Sequence, residues 1–114
     1  MGASSVKVDG DRVELGDIEF RPDEQLLIGV ATVALTRQEG ALLRVLCQNV
    51  GHVVSKARLY DLAWPTGSRL STQDRSVDVY IHKLRVKLGR AAPAWTFIHT
   101  HHGLGYRFDP ERRS

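Results

Sequence analysis

The sequence predicts an α+β domain, with short N-terminal strands, three helices and a C-terminal β hairpin in that order. Residues 12–35 contain short segments in which apolar and polar residues alternate, as they do in antiparallel strands. Residues 36–88 contain apolar residues at helical spacing, interrupted by loop-like sequence. Residues 96–109 contain two strand-like segments on either side of a Gly-Leu-Gly turn. At 114 residues, the chain is long enough for a single domain with its own core.

The composition is that of an ordinary globular protein, but the charge is unevenly distributed. Apolar residues make up 42% of the chain and charged residues 25%, and no apolar run is long enough to cross a membrane. Cys47 is the single cysteine, which excludes an internal disulfide and fits a cytoplasmic protein. Residues 1–35 carry three basic and seven acidic side chains, whereas residues 36–114 carry thirteen basic and six acidic ones. A polyanionic partner is therefore expected to contact the C-terminal two thirds.

The domain is predicted to span residues 10–110. Residues 1–9 contain no secretory signal and are predicted to be a flexible leader or linker remnant, and residues 111–114 a flexible tail. Within the domain, residues 12–35 are predicted to form an antiparallel meander, because glycine and proline residues separate their apolar segments.

The first helix is predicted at about residues 37–50. Thr36 and Glu39 have the spacing of a capping box, in which each side chain accepts a hydrogen bond from the backbone N–H of the other residue. The helix carries an apolar stripe formed by Leu42, Leu43, Leu46, Cys47 and Val50. Asn49 and Gly51 end the helix, and Gly51 is suited to a left-handed conformation there.

Two further helices are predicted at about residues 56–64 and 74–88. Ser55 is a good N-cap for the second helix, and Pro65 prevents its extension. The residues predicted to face the core from this helix are Leu59, Leu62 and Ala63. The third helix follows a loop-like segment and is predicted to stop at Gly89.

The C-terminal hairpin is predicted over residues 96–109, where Gly103 and Gly105 flank a single leucine. Glycine suits a tight turn because it adopts a positive φ without a steric penalty. The complete order is strands, helix, helix, loop, helix and hairpin. A helix-turn-helix followed by a β hairpin is the topology of a winged helix-turn-helix domain, in which the hairpin is called the wing.

The third helix has two faces of different character. On a helical projection, one narrow apolar stripe is formed by Val77, Ile81, Leu84 and Leu88. The opposite arc contains no carboxylate and is formed by Arg75, Ser76, Val79, His82, Lys83, Val86 and Arg90. These residue types suit DNA, because Lys and Arg bind phosphates or guanine edges and Val can contact a thymine methyl group. The alternative is an ordinary solvated helix face with two exposed valines.

The sequence resembles the DNA-binding domain of OmpR/PhoB-type response regulators over roughly residues 13–109. The resemblance is carried by Arg75-Ser76-Val77-Asp78-Val79 followed by Ile81, and by Gly103-Leu104-Gly105-Tyr106-Arg107-Phe108, with the earlier motif of Leu35-Thr36, Glu39 and Leu42-Leu43. It implies a winged helix-turn-helix fold with an N-terminal four-stranded antiparallel sheet, three helices and a C-terminal β-hairpin wing. The third helix would enter the major groove of DNA, and the wing would reach the adjacent minor groove.

The resemblance also assigns roles to individual residues. It implies base contacts by Ser76, Val79 and Lys83, and phosphate contacts by Trp64, Arg75, His82 and Arg85. His102 stands at the wing position where the family usually has an arginine in the minor groove, so a weaker minor-groove anchor is expected. In relatives, a loop between the second and third helices can contact RNA polymerase. Its residues here are Thr66, Gly67, Ser68, Arg69, Leu70, Ser71, Thr72 and Gln73.

The partner implied by the resemblance is double-stranded DNA, bound by two copies of the domain on direct-repeat half-sites. RNA polymerase is a second candidate partner. No cofactor, metal, membrane or small-molecule substrate is expected, and no enzymatic activity. Full-length relatives carry a receiver domain that these residues do not contain, so the chain is expected to be an excised output domain or a stand-alone regulator.

Enzymatic and metal-binding alternatives have less support. His99, His101 and His102 cluster, but no Cys, Asp or Glu in the first half of the hairpin completes a zinc site. Neither a nucleophile elbow nor a phosphate-binding glycine loop is present. The remaining alternative is a winged helix that contacts protein or RNA without sequence-specific DNA binding. RNA recognition usually needs exposed aromatic side chains, for which Tyr80 and Trp64 are the candidates.

Overall fold

Two small antiparallel β-sheets and three α-helices make up the described part of the chain. The computed structural model describes residues 6–9, 12–15, 18–22, 26–28, 32–65 and 76–113. The N-terminal sheet contains β1 (Val6–Asp9), β2 (Arg12–Leu15), β3 (Ile18–Arg21), β4 (Leu26–Ile28) and β5 (Val33–Ala34), paired in chain order. The helices are α1 (Arg37–Gln48), α2 (Lys56–Ala63) and α3 (Ser76–Ala91). The C-terminal sheet contains β6 (Val53–Val54), β7 (Trp95–His101) and β8 (Gly105–Arg112), in the order β6-β8-β7. The predicted α+β winged-helix fold class is confirmed.

The N-terminal sheet has five strands where four were expected. The additional strand is β1, which lies in the segment predicted to be a flexible leader and pairs antiparallel with β2 up to Asp9 and Arg12. Residues 6–9 therefore belong to the folded domain. The sequence contains a signal for this strand, because the alternating Val6 and Val8 precede an Asp-Gly pair, which is typical of hairpins.

The predicted capping box at the start of α1 is present. The Thr36 hydroxyl accepts from the N–H of Glu39 at 3.2 Å, and the Glu39 carboxylate accepts from the N–H of Thr36 at 2.8 Å. Burial by itself raises the pKa of Glu39, but bonds from Lys87 and Thr36 outweigh burial and hold the pKa below its ordinary value. Gly51 follows the helix with φ +84°, and its N–H donates to the Phe108 carbonyl in β8.

Two details of the second and third helices differ from prediction: the exposure of Leu62 on α2 and the C-terminal end of α3. Leu62 was predicted to face the core but is 52% exposed, because the buried side of the short α2 is formed by Leu59, Tyr60 and Ala63. The third helix continues past Gly89 to Ala91, where burial of the last helical turn outweighs the weak helix propensity of glycine. Within the described ranges, no helix combines the length and apolar character needed to cross a membrane.

The wing is part of a three-stranded sheet and not an isolated hairpin. β6, between α1 and α2, pairs with β8 through Val53↔Arg107 and Val54↔Tyr106. Residues 111–112, predicted as tail, extend β8. Gly105 is required by this arrangement, because a Cβ atom there would lie 2.0 Å from the Val54 carbonyl oxygen. The wing is therefore braced at its base by the segment that joins the first two helices.

Three phenylalanines join the two sheets in one core. Phe20 of β3 packs edge-on against Phe97 of β7 and Phe108 of β8, with ring centroids 5.2 and 5.8 Å apart. The remaining core is contributed mainly by the inner faces of the helices. Lys87 of α3 adds a polar link, because its Nζ donates to the Ala34 carbonyl and to the Glu39 carboxylate. The inner face of the third helix therefore packs against the rest of the domain, and its opposite face is exposed.

Candidate nucleic-acid interface

The two faces of α3 are separated as the sequence predicts. Its apolar stripe is buried, with exposures of 2% or less at Val77, Ile81, Leu84 and Leu88. The side chains of Val79 and Val86 lie on the other side and are 49% and 40% exposed. The outward face of the helix therefore includes two apolar side chains.

The outward face of α3 is positively charged. Lys83, His82 and Arg90 are exposed and Ser76 is half-buried, while none of the exposed residues of this helix is acidic. The only carboxylate of the helix, Asp78, lies on the flank, where Lys56 of α2 forms an ion pair with it at 3.1 Å. The side chains that the family resemblance assigns to base contact, Ser76, Val79 and Lys83, therefore share one surface. We call this surface the α3 outer face.

Lys83 is supported by a row of aromatic rings. Its Nζ lies 4.6 Å from the centroid of the Tyr80 ring, one helical turn earlier. The Tyr80 ring meets Trp64 edge-on at 5.6 Å, and Trp64 stacks on the buried Tyr60 at 5.0 Å with an interplanar angle of 12°. A cation over an aromatic face is attracted by the ring quadrupole. The row therefore restricts the directions that Lys83 can take from the outer face.

Trp64 has a structural role that the sequence did not reveal. It was predicted as a phosphate contact, and it is half-buried at the end of α2, between Tyr60 and Tyr80. The phosphate contact stays a prediction. In addition, Trp64 packs between α2 and α3. The aromatic spacing in the sequence could have indicated this role, because Tyr60 and Trp64 are separated by four residues and therefore lie on one side of a helix.

Arg85, also predicted as a phosphate contact, reaches the wing. Its Nη2 donates to the Thr100 hydroxyl at 2.7 Å and to the Ile98 carbonyl at 3.0 Å. The guanidinium carbon lies 5.6 Å from the centroid of the Tyr106 ring. One edge of the planar guanidinium is thus occupied by the protein itself. Sequence reasoning could not find these contacts, since Thr100 is 15 residues away along the chain.

Tyr106 and Asp78 form a second bridge from the wing to α3. The Tyr106 hydroxyl donates to Asp78 Oδ1 at 2.5 Å. Burial, followed by this bond to the Asp78 carboxylate, raises the pKa of Tyr106 to about 12. Both residues belong to the motifs that carry the family resemblance, but their contact joins residues 28 positions apart and is not visible in the sequence.

The wing tip projects away from the core. His102 and Leu104 are exposed, Leu104 by 66%, and Gly103 between them has φ +78°, which glycine adopts without strain. The neighbouring histidines contact the wing itself. His99 Nε2 lies 2.7 Å from the Asp109 carbonyl, and Arg107 Nε donates to His101 Nε2 at 3.1 Å. His102 therefore stands at the tip, where the resemblance places a minor-groove contact.

The remaining predicted site residues lie outside the described part of the chain. These are Arg75 and the candidate polymerase-contact loop of Thr66, Gly67, Ser68, Arg69, Leu70, Ser71, Thr72 and Gln73. Among the described residues, no group of three His, Cys, Asp or Glu side chains is close enough to hold a metal ion. The candidate site is the surface formed by the α3 outer face and the wing tip.

The fold and this surface define a winged helix-turn-helix domain of the type that binds DNA. The family model described as "Transcriptional regulatory protein, C terminal" matches residues 30–108. The chain belongs to this family, the DNA-binding effector domains of OmpR/PhoB-type response regulators. The family consists of transcription regulators and not of enzymes.

Similar proteins and structures agree with this assignment. The chain is 37% identical over 95 residues to the transcriptional regulatory protein CreB of Escherichia coli, which covers 82% of this chain and 41% of CreB. The DNA-binding domain of CpxR from E. coli has a TM-score of 0.71 at 30% identity, covering 86% of this chain and 95% of that one. The Klebsiella pneumoniae RstA DNA-binding domain, solved in complex with the RstA box, has a TM-score of 0.69 at 28% identity, covering 86% and 96%.

The chain spans less than half of the curated relatives it matches. It covers 41% of CreB and 38% of the transcriptional regulatory protein YvrH of Bacillus subtilis, to which it is 36% identical over 92 residues.

Proposed function

We propose that this domain binds double-stranded DNA in a sequence-specific way and so regulates transcription, with α3 in the major groove and the wing at the adjacent minor groove. One observation carries the proposal. The α3 outer face is exposed and free of exposed acidic side chains, while the opposite face of the same helix is fully buried. An α-helix fits the major groove, where its outward side chains can reach base edges.

The residues of this surface divide into two roles. Ser76, Val79 and Lys83 contact bases, because they combine a hydroxyl, an apolar group and a cation on the α3 outer face. His82 and Arg75 contact phosphates and set the position of the helix on the duplex. Phosphate contacts release counterions, so they contribute an affinity that falls with salt and does not depend on sequence.

The wing contributes a second, weaker contact. His102 and Leu104 stand at its exposed tip, where an arginine would give a stronger minor-groove anchor. The RstA domain, 28% identical to this chain, has been solved bound to its DNA box, which supports the same mode of binding here. Every aromatic side chain of the described ranges is at least partly buried, which disfavours the alternative of RNA recognition by base stacking.

Useful specificity requires more than one copy of the domain. A single winged helix buries a small interface and binds weakly, so two copies on direct-repeat half-sites would bind together. In a longer protein, dimerisation through another domain would raise the effective concentration of the second copy. We propose a response-regulator output domain acting in the cytoplasm, with RNA polymerase as a second partner that residues 66–73 would contact.

Selection from a random pool of DNA duplexes tests the proposal. The expected result is enrichment of one half-site, recovered as a direct repeat with a spacing of about one helical turn. Lys83→Ala should reduce the enrichment, whereas Arg37→Ala, which removes an exposed cation of α1 that is not part of the α3 outer face, should leave it unchanged. Failure of the wild-type domain to enrich any sequence, or enrichment from an RNA pool alone, would contradict the proposal.

A further inference from the structure

The third helix holds the wing at two separate points. Near its start, Asp78 accepts a hydrogen bond from the Tyr106 hydroxyl on β8. Two helical turns later, Arg85 donates to the Thr100 hydroxyl and to the Ile98 carbonyl on β7. Each of the two wing strands is therefore tied to the same helix by a polar contact that involves a charged group, the stronger class of hydrogen bond in proteins.

The positions of these contacts limit how the wing can move. Asp78 and Arg85 are seven residues apart, so they lie on the same flank of α3 and about 10 Å apart along its axis. Thr100 and Tyr106 are direct cross-strand partners next to the turn of the wing. The pairing of β6 with β8 and the buried Phe97 and Phe108 already anchor the wing. The two polar contacts add to this anchoring next to the turn, where they tie both strands to α3.

Arg85 has the chemistry that this second attachment needs. Its planar guanidinium presents N–H donors in a fixed fork, and the same group lies over the Tyr106 ring at 5.6 Å. It therefore touches both strands of the wing at one level. A lysine at this position would keep the positive charge but would lose the fork and the stacking geometry.

We propose that Arg85 is a positioning residue that sets the angle between α3 and the wing, so that both enter adjacent grooves of DNA at the same time. The proposal rests on the proposed function, because the benefit is to DNA binding. A wing already held at the right angle loses less conformational freedom on binding than a wing that pivots. A direct phosphate contact by Arg85 would instead not involve Thr100, so Thr100→Val would leave it intact.

The first test uses the free domain and needs no DNA. Residual dipolar couplings measured by NMR report the orientation of the wing relative to α3 in the wild type, Thr100→Val and Arg85→Lys. We expect both variants to change the wing orientation or to lower its order while α3 and the core stay unchanged. The same orientation and order in all three proteins would overturn the proposal, whatever the domain binds.

The second test is a double-mutant cycle on two duplexes, one covering both grooves and one ending before the minor-groove segment under the wing. Each single variant should bind the long duplex about 2–10-fold more weakly, as expected for one lost hydrogen bond, and the double variant should lose little more. Affinity for the short duplex should change little. Lys83→Ala is the matched control, because it should weaken binding to both duplexes alike.

Three outcomes of the second test would overturn the proposal. A silent Thr100→Val variant would show that the bond from Arg85 to Thr100 does not contribute to binding. Additive losses would show two independent DNA contacts. Equal losses on both duplexes, with a lower unfolding temperature, would show that the contacts only stabilise the fold. If the wild type bound neither duplex selectively, the proposed function would fail, while the NMR measurement would still decide whether Arg85 positions the wing.

Discussion

Val77 and Val79 are identical side chains two residues apart on α3, but their exposure to solvent differs greatly. Val77 is 2% exposed and belongs to the core, whereas Val79 is 49% exposed on the α3 outer face. The first is explained by the fold, because a buried valine stabilises the domain by removing apolar surface from water. Val79 is left on the surface, where it adds no comparable stability. One face of the helix therefore stabilises the fold, and we propose that the other face recognises DNA.

The largest effect is expected from a substitution on the buried face of α3. Leu84→Ala should lower the free energy of unfolding by about 2–5 kcal/mol, because Leu84 is fully buried and its loss leaves a cavity. Val86→Ala, on the exposed face, should change it by less than about 0.5 kcal/mol. Urea unfolding followed by circular dichroism measures both. Similar values for the two variants would mean that the faces are not divided as described.

The next largest effect is expected on DNA affinity, from a substitution on the α3 outer face. Lys83→Ala should weaken binding to the selected site by about 1–3 kcal/mol and binding to random duplex only slightly, because a base contact exists only on the right sequence. The two affinities are measured by fluorescence anisotropy at one fixed salt concentration. Equal losses on both duplexes would reduce Lys83 to a phosphate contact. Unfolding measurements should show wild-type stability, since the side chain is exposed.

The division of α3 into two faces was predictable because it depends on local spacing. The 3.6-residue period places Val77, Ile81 and Leu84 on one side wherever the helix packs, and the burial found for them follows. The capping box at Thr36 and Glu39 was predictable for the same reason, since its partners are three residues apart. Contacts and faces of this kind can be predicted from the spacing of residues within a single helix.

Contacts between distant segments were not predictable. The bridges from Asp78 to Tyr106 and from Arg85 to Thr100 join residues 28 and 15 positions apart, so they exist only once the wing is folded against α3. The pairing of β6 with β8 depends on the same docking. Leu62 shows the limit of periodicity itself, because an eight-residue helix does not contain enough turns to fix which edge of its apolar side is buried.

A smaller effect is expected at low pH, where Glu39 titrates. Its pKa in the folded domain is lowered, so the carboxylate stabilises the fold at neutral pH. This stability should be lost as the pH falls below about 4.5, the ordinary value, and through the lower folded pKa. Glu39→Gln should remove that part of the pH dependence, which chemical unfolding between pH 3 and 7 measures. The same acid-side slope in both proteins would contradict the assignment.

The smallest effect concerns the support of Lys83 by the Tyr80 ring. Tyr80→Leu should reduce the preference for the selected site over random duplex by about 0.5–1 kcal/mol, the usual size of a cation–π contact at an exposed position. Tyr80→Phe keeps the ring and should keep most of the preference. Competition binding with the two duplexes measures it. An equal loss in the Phe variant would show that the hydroxyl, and not the ring, matters.

The central claim is that the α3 outer face is the surface that meets DNA. Chemical-shift mapping by NMR, with the labelled domain titrated by its selected duplex, tests this most directly. We expect the largest changes at Ser76, Val79 and Lys83, with smaller ones at His102 on the wing tip. Changes concentrated on the N-terminal sheet, with the amides of α3 unmoved, would contradict it.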